Sequence, residues 1–332
     1  MNVTNSASDT PLSEAFNELV AKSSLPIYLS LQNKTITLAK EQISLTKQEL
    51  VVFSTLTLQQ LHQLIEFSQI TPLALTQVTH RNHETSFRFT VSCSDLTSAR
   101  QAVAQFALEH NIEAALIENA PSLATPGLLV MDMDSTTIEI ECIDEIAALA
   151  GVGEEVAAVT EQAMQGELDF AQSLHQRVAT LKDAPEQILV DVAKNIPLMS
   201  GLRALITELK KHQWRVAIAS GGFTYFADHL KDMLDLDDAF ANTLEILDGK
   251  LTGKVLGDVV DAQVKADSLS LLSDKYAIAK EQTVAMGDGA NDLFMMSAAS
   301  FGVAFHAKPI VLAKADASIN HQGLDCLLHW LR

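Results

Sequence analysis

Apolar and polar positions follow two different patterns along this chain of 332 residues. Up to Glu118, alternating runs such as Ser86–Val91 predict half-buried strands, and amphipathic runs such as Leu58–Phe67 and Leu96–His110 predict helices. Beyond residue 127 the apolar runs are short and continuous, with helical segments between them, which is typical of buried parallel strands. The pattern therefore predicts a small α+β region followed by a doubly wound α/β domain with a parallel sheet.

Breaks in this pattern predict where the domains begin and end. Residues 1–22 are rich in turn formers and are left largely unassigned, and a small α+β domain is expected over residues 23–120. The sequence PSLATPG then reads as a linker at the start of the α/β domain, which is expected over residues 121–332. A mostly helical stretch over residues 140–197 separates the first two strands of that domain and is expected to be an insertion.

The amino-acid composition limits the classes of molecule that the protein is expected to bind. A formal net charge of −19 should repel nucleic acid and anionic membranes, so neither is an expected partner. A small anionic substrate would then need local cations, which a divalent metal could supply. Three cysteines without a CxxC pair argue against a disulfide framework or a zinc site. The polar amino terminus and the lack of an apolar run of ~20 residues lead us to expect a cytoplasmic protein.

Two carboxylates, Asp132 and Asp134, follow the apolar run Leu128–Met131. In extended backbone, alternate residues point to the same side, so the pair should repel unless a cation or a shared proton lies between them. Magnesium is one such cation. The alternative is a simple capping cluster, since Asp, Ser and Thr all favour strand-to-helix turns.

The run Val284–Met286 ends in a glycine-rich turn, GDGAND, which adds the carboxylates of Asp288 and Asp292 and the amide of Asn291. Such residues can complete an oxygen-ligand shell, although a plain turn would look the same. The spacing does not match a calcium-binding EF-hand loop.

A third run, Val216–Ala219, ends in Ser220 and Gly221, where a hydroxyl and backbone N–H groups at the expected start of a helix could bind an oxyanion. A turn without a ligand is the alternative. Lys265 could supply a fixed positive charge, but most lysines lie on the solvated surface.

Taken in chain order, these segments resemble the haloacid dehalogenase superfamily of phosphotransferases. The matching positions are Asp132-x-Asp134-x-Thr136, Ser220, Lys265 and GDGAND at Gly287–Asp292. The resemblance implies a haloacid dehalogenase-like doubly wound fold with a helical cap insertion at residues 140–197. Within the superfamily the chain is similar to the phosphoserine phosphatase family over residues 128–332. The motifs that carry this likeness are DMDSTTIEIECIDEIA at Asp132–Ala147, the segment with Phe170 and Arg177, SGGF at Ser220–Phe223, and GDGAND. The small amino-terminal α+β domain resembles the extension of some bacterial members, and an ACT-like fold is one expectation for it.

The resemblance also implies a role for each residue in a Mg²⁺-dependent hydrolysis of phosphoserine. Asp132 is the expected nucleophile, which forms an aspartyl phosphate, and Asp134 the expected general acid and base. The expected metal ligands are Asp132, the backbone carbonyl of Asp134, and Asp288, supported by Asp292. The expected substrate-binding residues are Glu141, Phe170, Arg177, Ser220, Gly221, Lys265 and Asn291.

Specificity is expected to come from the cap. Phe170, Leu174, Arg177 and Leu181 recur at helical spacing, so an arginine lies on an otherwise apolar helix face and could pair with a substrate carboxylate. The resemblance places Glu141 at the position that binds the ammonium group. Without the resemblance, Arg177 would be interpreted as an ordinary side chain at the edge of a core, and Glu141 as an ordinary surface residue.

Three alternatives stay open at this point. The enzyme could act on another small phosphomonoester that carries an amine or a carboxylate. The clustered aspartates, with a lysine, could instead form a phospho-acceptor signalling module. The amino-terminal domain could be a serine-binding regulatory module or a dimerisation module, which would make the protein a homodimer.

Overall fold

A computed structural model of the protein describes residues 9–32, 35–39, 41–165 and 167–332. The chain forms two compact units, of which the first contains residues up to Ala124 together with Val303–Arg332, and the second contains Thr125–Gly302. The domain boundaries expected from the sequence stay predictions. Within the described ranges, no helix is both long and apolar enough to cross a membrane.

The first unit begins with a sheet covered by helices. Its elements are α1 (Leu12–Lys22), β1 (Ile27–Gln32), β2 (Thr35–Leu38), β3 (Gln48–Phe53), α2 (Leu58–Ser68), β4 (Thr71–Arg81), β5 (Glu84–Ser92), α3 (Leu96–Glu109) and β6 (Ala114–Glu118). The strands lie in the order β2-β1-β4-β5-β3-β6. The run β3-α2-β4-β5-α3-β6 has the β-α-β-β-α-β order of ferredoxin-like folds. The α+β class is confirmed, and the ACT-like resemblance stays a prediction.

Two of the helices that pack on this sheet, α2 and α3, begin at side-chain caps. Thr57 accepts a hydrogen bond from the Gln60 N–H at 3.1 Å, and the Gln60 side chain accepts one from the Thr57 N–H at 2.9 Å, which forms a capping box for α2. Asp95 accepts hydrogen bonds from the Thr97 and Ser98 N–H groups at the start of α3. The predicted helices over Leu58–Phe67 and Leu96–His110 are therefore confirmed to within a residue or two.

The second unit is an α/β domain. Its elements are β7 (Leu128–Met131), α4 (Cys142–Ala150), α5 (Gly153–Met164), α6 (Phe170–Thr180), α7 (Gln187–Ala193), α8 (Leu202–Lys211), β8 (Arg215–Phe223), α9 (Thr224–Leu234), β9 (Asp238–Leu247), β10 (Lys250–Leu256), α10 (Ala262–Lys275), β11 (Thr283–Gly287) and α11 (Leu293–Ala298). Five of its strands lie in the order β10-β9-β8-β7-β11. The neighbours of β7 and β8 run parallel, and β10 pairs antiparallel with β9.

This arrangement confirms the doubly wound sheet and the helical insertion, because α4 to α7 lie in the chain between β7 and β8. One local boundary is shifted by two residues. No helix begins at the glycines that follow Ser220, since β8 continues to Phe223 and α9 begins at Thr224. The glycines therefore belong to an irregular strand end, where backbone groups are not committed to a helix.

The chain then returns to the first unit. The remaining elements are β12 (Phe301–Phe305), α12 (Pro309–Leu312), β13 (Ala317–Ile319) and α13 (Leu327–Trp330). Arg88 of β5, with 3% of its surface exposed, binds Glu49 at 2.7 Å. Its Nη2 also donates to the carbonyls of His329, Trp330 and Leu331 at 3.0, 3.1 and 2.9 Å. A buried arginine thus fastens the returning segment to the sheet of this unit.

Candidate active site

Lys265 lies at the centre of the site and is completely buried. Its Nζ is 2.9 Å from Oδ1 of Asp132, which follows β7, and 2.8 Å from Oδ1 of Asp292, which follows β11. Burial by itself lowers the pKa of Lys265, but the two carboxylates outweigh that effect and raise the pKa above its usual value. The ammonium group is therefore held charged at the carboxyl ends of two neighbouring parallel strands, where α/β folds place their ligands.

Carboxylates outnumber cations around Lys265. Asp132, Asp288 and Asp292 each offer an oxygen, and these oxygens lie within 4.8 Å of one another. Burial, followed by repulsion from Asp132, raises the pKa of Asp292, and Lys265 opposes the rise. A set of oxygen donors with surplus negative charge suits a hard cation such as Mg²⁺. Two of the expected ligands, Asp132 and Asp288, are in the cluster, as is the expected supporting residue Asp292.

The loop after β7 is held by its own short-range hydrogen bonds. The Thr137 hydroxyl donates to the Asp132 carbonyl at 2.5 Å, and the Met133 N–H donates to Oδ1 of Asp132 at 2.8 Å. Ser135 adopts a left-handed backbone with φ of 57°, which turns the chain toward the cap. With Lys265, these contacts fix the orientation of the Asp132 carboxylate.

Asp134 occupies a different environment from Asp132. Its Oδ1 accepts a hydrogen bond from the Cys142 N–H at 3.0 Å. Burial, with repulsion from Glu141 and more weakly from Asp132, raises the pKa of Asp134 to about 7. A carboxyl group with a pKa near neutrality can both give and take a proton, which suits a general acid and base.

Ser220 and the two glycines after it lie between the acid and the cap. An added Cβ on Gly222 would lie 2.6 Å from Oδ2 of Asp134, and one on Gly221 would lie 2.6 Å from the ring of Phe170. Both positions therefore require glycine, because the neighbours approach the backbone too closely for a side chain. Ser220 is buried, and its Oγ accepts a hydrogen bond from the Gly222 N–H at 2.9 Å.

The turn after β11 is closed by Asp292, whose Oδ2 accepts a hydrogen bond from the Gly289 N–H at 3.0 Å. Asn291 lies in the same turn, between Asp288 and α11. The GDGAND residues thus connect directly to Lys265 through Asp292, and to Asp132 through the carboxylate cluster.

Arg177 has an unsatisfied buried donor. The helix α6 is capped by Asp169, which forms a capping box with Gln172, and it carries both Phe170 and Arg177. Among the described residues, the Nε of Arg177 has no hydrogen-bond partner although it is buried. Burial lowers the pKa of Arg177, and Asp144, then Glu141 and Asp134, oppose the shift. The side chain as a whole is only partly buried, and its buried, unused Nε is a donor that a ligand carboxylate would satisfy.

Glu141 lies beside the loop after β7, since its Oε1 accepts a hydrogen bond from the Ser135 hydroxyl at 2.7 Å. Although part of this side chain is exposed, desolvation of the carboxyl group raises the pKa of Glu141, and the bond from Ser135 opposes the rise. Asp134 and Arg177 are both close enough to interact electrostatically with it. The structure thus brings the candidate specificity residues next to the candidate acid.

Sequence reasoning missed two buried polar residues that support the site, Thr137 and Asn242. Thr137 holds the Asp132 carbonyl, and Asn242 bonds to the carbonyl of Gly221 at 2.8 Å. For Asn242, the sequence offered one signal, an asparagine within the otherwise strand-like run Asp238–Leu247.

The chain is similar to known hydrolases in sequence and in structure. A family model for haloacid dehalogenase-like hydrolases matches residues 127–300. A phosphoserine phosphatase of Vibrio cholerae serotype O1 is 59% identical over 246 residues, which are 73% of this chain and 74% of the relative. A crystal structure of a probable phosphoserine phosphatase from Vibrio cholerae, in its unliganded form, is 46% identical with a TM-score of 0.72, covering 94% of this chain and 95% of the other. A phospho-aspartyl intermediate analogue of phosphoserine phosphatase is 43% identical with a TM-score of 0.59, covering 63% of this chain and 100% of the other.

Proposed function

This chain belongs to the phosphoserine phosphatases of the haloacid dehalogenase-like hydrolase family, and we propose that it hydrolyses O-phospho-L-serine to L-serine and phosphate, the last step of serine biosynthesis. The observation that carries this proposal is the buried contact of Lys265 with Asp132 at the end of β7. Asp134, whose carboxyl group has a raised pKa, lies beside this contact. It provides a nucleophile, a fixed cation and a proton donor in one place.

In the first half of the reaction, a carboxylate oxygen of Asp132 attacks phosphorus while the bond from phosphorus to the seryl oxygen breaks. Asp134 gives its proton to the departing oxygen, so serine leaves as a neutral alcohol. In the second half, Asp134 takes a proton from a water molecule that attacks the aspartyl phosphate, and this step releases phosphate and restores Asp132. Lys265, the Ser220 hydroxyl and the Gly221 N–H stabilise the charge on the transferred group.

The carboxylate cluster is the proposed Mg²⁺ site. Asp132 and Asp288, with the backbone carbonyl of Asp134, would hold the ion, and Asp292 would support them while it pairs with Lys265. The ion would supply positive charge to the phosphoryl oxygens and lessen the repulsion among the carboxylates. Oxygen-only donors and surplus negative charge support this choice of metal.

Recognition of the amino acid is assigned to the cap. Arg177 would bind the substrate carboxylate with the donor that the protein leaves unpaired, and Glu141 would bind the ammonium group. Phe170, which packs against Gly221, would form an apolar wall next to the phosphoryl site, and Asn291 would orient groups on the opposite side.

A substrate panel tests the proposal. Phosphate release should be most efficient with L-phosphoserine, weaker with phosphoethanolamine, which lacks the carboxylate, and weaker with 3-phosphonooxypropanoate, which lacks the ammonium group. Omission of Mg²⁺ should abolish turnover with all three. Preferred turnover of one of the two analogues would replace phosphoserine with another small phosphomonoester, and an aspartyl phosphate that persists would indicate a phospho-acceptor module.

Two variants separate recognition from chemistry. Arg177→Met should lower kcat/KM for L-phosphoserine by about 100-fold or more, since one charged bidentate contact is lost, while an aryl phosphate should lose about threefold at most. Arg203→Met, on the exposed surface of α8, is the matched control and should change neither. Equal losses on both substrates would contradict the role of Arg177.

Three further expectations from the sequence stay predictions. These are a cytoplasmic location, a homodimer, and serine binding at the amino-terminal domain. Cell fractionation, light scattering and calorimetry of the full chain with L-serine would test them in turn.

A further inference from the structure

Asn242 is a buried polar residue on β9, and both ends of its side-chain amide are bonded. Its Nδ2 donates to the carbonyl of Gly221 at 2.8 Å, and its Oδ1 accepts from the N–H of Val260 at 2.8 Å. With 1% of its surface exposed, it cannot exchange these partners for water. The side chain therefore joins the end of β8 to the segment just before α10.

The first bond lies where the backbone pairing of β8 and β9 is interrupted. The two strands pair in register up to Ala219 opposite Phe240, and the pairing resumes at Phe223 opposite Asn242. Three residues of β8, Ser220 to Gly222, thus bulge opposite the single residue Ala241. Bulged residues lose ladder hydrogen bonds, and the amide of Asn242 supplies one in their place.

The second bond lies where the lysine helix begins. Val260 precedes Asp261, the amino-terminal cap of α10, whose Oδ1 accepts from the Gln263 and Val264 N–H groups at 2.9 Å. The Lys265 N–H donates to the Asp261 carbonyl at 3.0 Å. Because Asp261 holds three N–H groups of this first turn, a fixed Val260 also fixes the backbone position of Lys265.

We infer that Asn242 is a positioning residue that sets the distance between the Ser220–Gly221 loop and Lys265. The inference rests on the proposed function, in which these two elements bind the same phosphoryl group. Asn242 touches no substrate atom and acts only through the groups that it holds. Misplacement of binding groups by ~1 Å can lower a rate ~100-fold, so this distance matters for catalysis.

The arrangement makes a specific kinetic prediction. Asn242→Ala removes both bonds and should lower kcat/KM by roughly 30- to 100-fold. The loss should be equal, within about threefold, for L-phosphoserine and p-nitrophenyl phosphate, because both substrates carry the same phosphoryl group. Asn242→Asp fills the same volume and can still accept from Val260, but it cannot donate to Gly221, so it should show most of the loss.

Two controls on the same strand separate positioning from stability. Leu244→Ala removes an apolar side chain from the same face of β9 and should lower the melting temperature with kcat/KM unchanged within about threefold. Thr243→Ala, on the exposed face, should change neither. All rates are to be measured well below the melting temperature of each variant, so that unfolded protein does not lower the apparent kcat/KM.

The inference is overturned if Asn242→Ala and Asn242→Asp keep kcat/KM within about threefold of the unaltered chain, or if Leu244→Ala loses as much as they do. It is also overturned if the loss is confined to L-phosphoserine. Failure of the proposed function would give a different result, because the unaltered chain itself would then not prefer L-phosphoserine. The kcat/KM of Asn242→Ala relative to the unaltered chain, measured with p-nitrophenyl phosphate, would still test the role of Asn242.

Discussion

Arg88 in the first unit and Lys265 in the second are both cations with almost no exposed surface, and both contact carboxylates. Arg88 pairs with Glu49 through Nη1, and its Nη2 donates to three backbone carbonyls. Lys265 pairs with Asp132 and Asp292. Burial is nearly the same for the two side chains, so burial alone does not tell a structural ion pair from a catalytic one.

The difference lies in the charge that surrounds each cation. Around Arg88, a single carboxylate faces two guanidinium groups, because Arg332 also binds Glu49 at 3.0 Å. At the Lys265 site, oxygens of three carboxylates lie within 4.8 Å of one another, and one ammonium group cannot neutralise them. Surplus charge destabilises a fold unless another ion completes the site, so its presence points to function. Four substitutions follow, in order of expected effect.

Asp132→Asn should abolish turnover and leave the fold intact. The amide cannot act as the nucleophile, so kcat should fall by at least about four orders of magnitude. Because one surplus negative charge disappears, the melting temperature without Mg²⁺ should not drop. Phosphate release and thermal unfolding measure the two quantities. The control Asp274→Asn, on the exposed surface of α10, should leave both unchanged; retained turnover in Asp132→Asn would rule out the covalent mechanism.

Lys265→Met should harm both activity and stability. Loss of a fixed cation at the phosphoryl group should lower kcat about 100- to 1,000-fold. The carboxylates left unpaired should cost about 3 kcal/mol in the free energy of unfolding. Lys275→Met is the matched control, because that lysine is on the same helix in a solvent-exposed pair with Asp238, whose loss should change the free energy of unfolding far less. Similar losses of activity and stability in the two variants would show that Lys265 is no more important than the exposed Lys275.

Arg88→Met should harm stability alone. Three carbonyls and Glu49 lose their buried donor, so the free energy of unfolding of the first unit should fall by about 3 kcal/mol, with kcat unchanged within about threefold. The chain has two tryptophans, and Trp330 lies in the first unit, so its fluorescence in a Trp214→Phe background follows that unit during urea unfolding. Arg100→Met, which breaks a half-exposed pair with Asp316, is the control with a smaller expected loss. A large fall in kcat would contradict a purely structural role.

Glu113→Gln should give the smallest effect, visible as a change in pH dependence. Oε1 of Glu113 accepts from the Asn320, His321 and Gln322 N–H groups, whereas its Oε2 is buried without a partner among the described residues. Burial raises the pKa of Glu113 above 4.5, and the three N–H groups oppose the rise. The folded state therefore binds the proton more tightly than the unfolded state, and the stability from this group is lost as pH rises through its folded pKa.

Urea unfolding of the Trp214→Phe background with and without Glu113→Gln, from pH 4.5 to pH 7, measures this effect. The chain that keeps Glu113 should lose stability relative to the glutamine variant as pH rises. Parallel curves would mean that Glu113 does not titrate differently in the folded and unfolded states.

The sequence predicted the strand ends that carry the site for a local reason, although it missed β9 and β10 of the same unit. Asp132, Ser220 and Asp288 directly follow or end buried apolar runs, so their meeting at one sheet edge follows from the parallel order. In the first unit, β3 and β4 were missed. The register of β4 shifts twice against β5, near Pro72 and again after Leu75, which breaks the alternation that marks a strand. β3 is a short apolar run that periodicity cannot assign.

Contacts between distant segments were beyond prediction. Alternation in Ser86–Val91 put Arg88 on the face opposite Phe87 and Phe89, which would be the solvent face if nothing covered it. The returning segment covers it instead, and no local pattern marks that event. Asn242 was missed for the same reason, since its role depends on the interrupted pairing of β8 with β9.

The bonds from Arg88 to the returning segment also have a consequence for protein synthesis. They join residues 241 to 243 positions apart in the chain. A ribosome that adds about 5–20 residues per second needs roughly 12–48 s to make that stretch. For that time the guanidinium of Arg88 has no carbonyl partners, so the unit translated first completes its packing after the unit translated second. Chaperones that act on nascent chains should therefore associate with the amino-terminal sheet for longer than with the α/β domain.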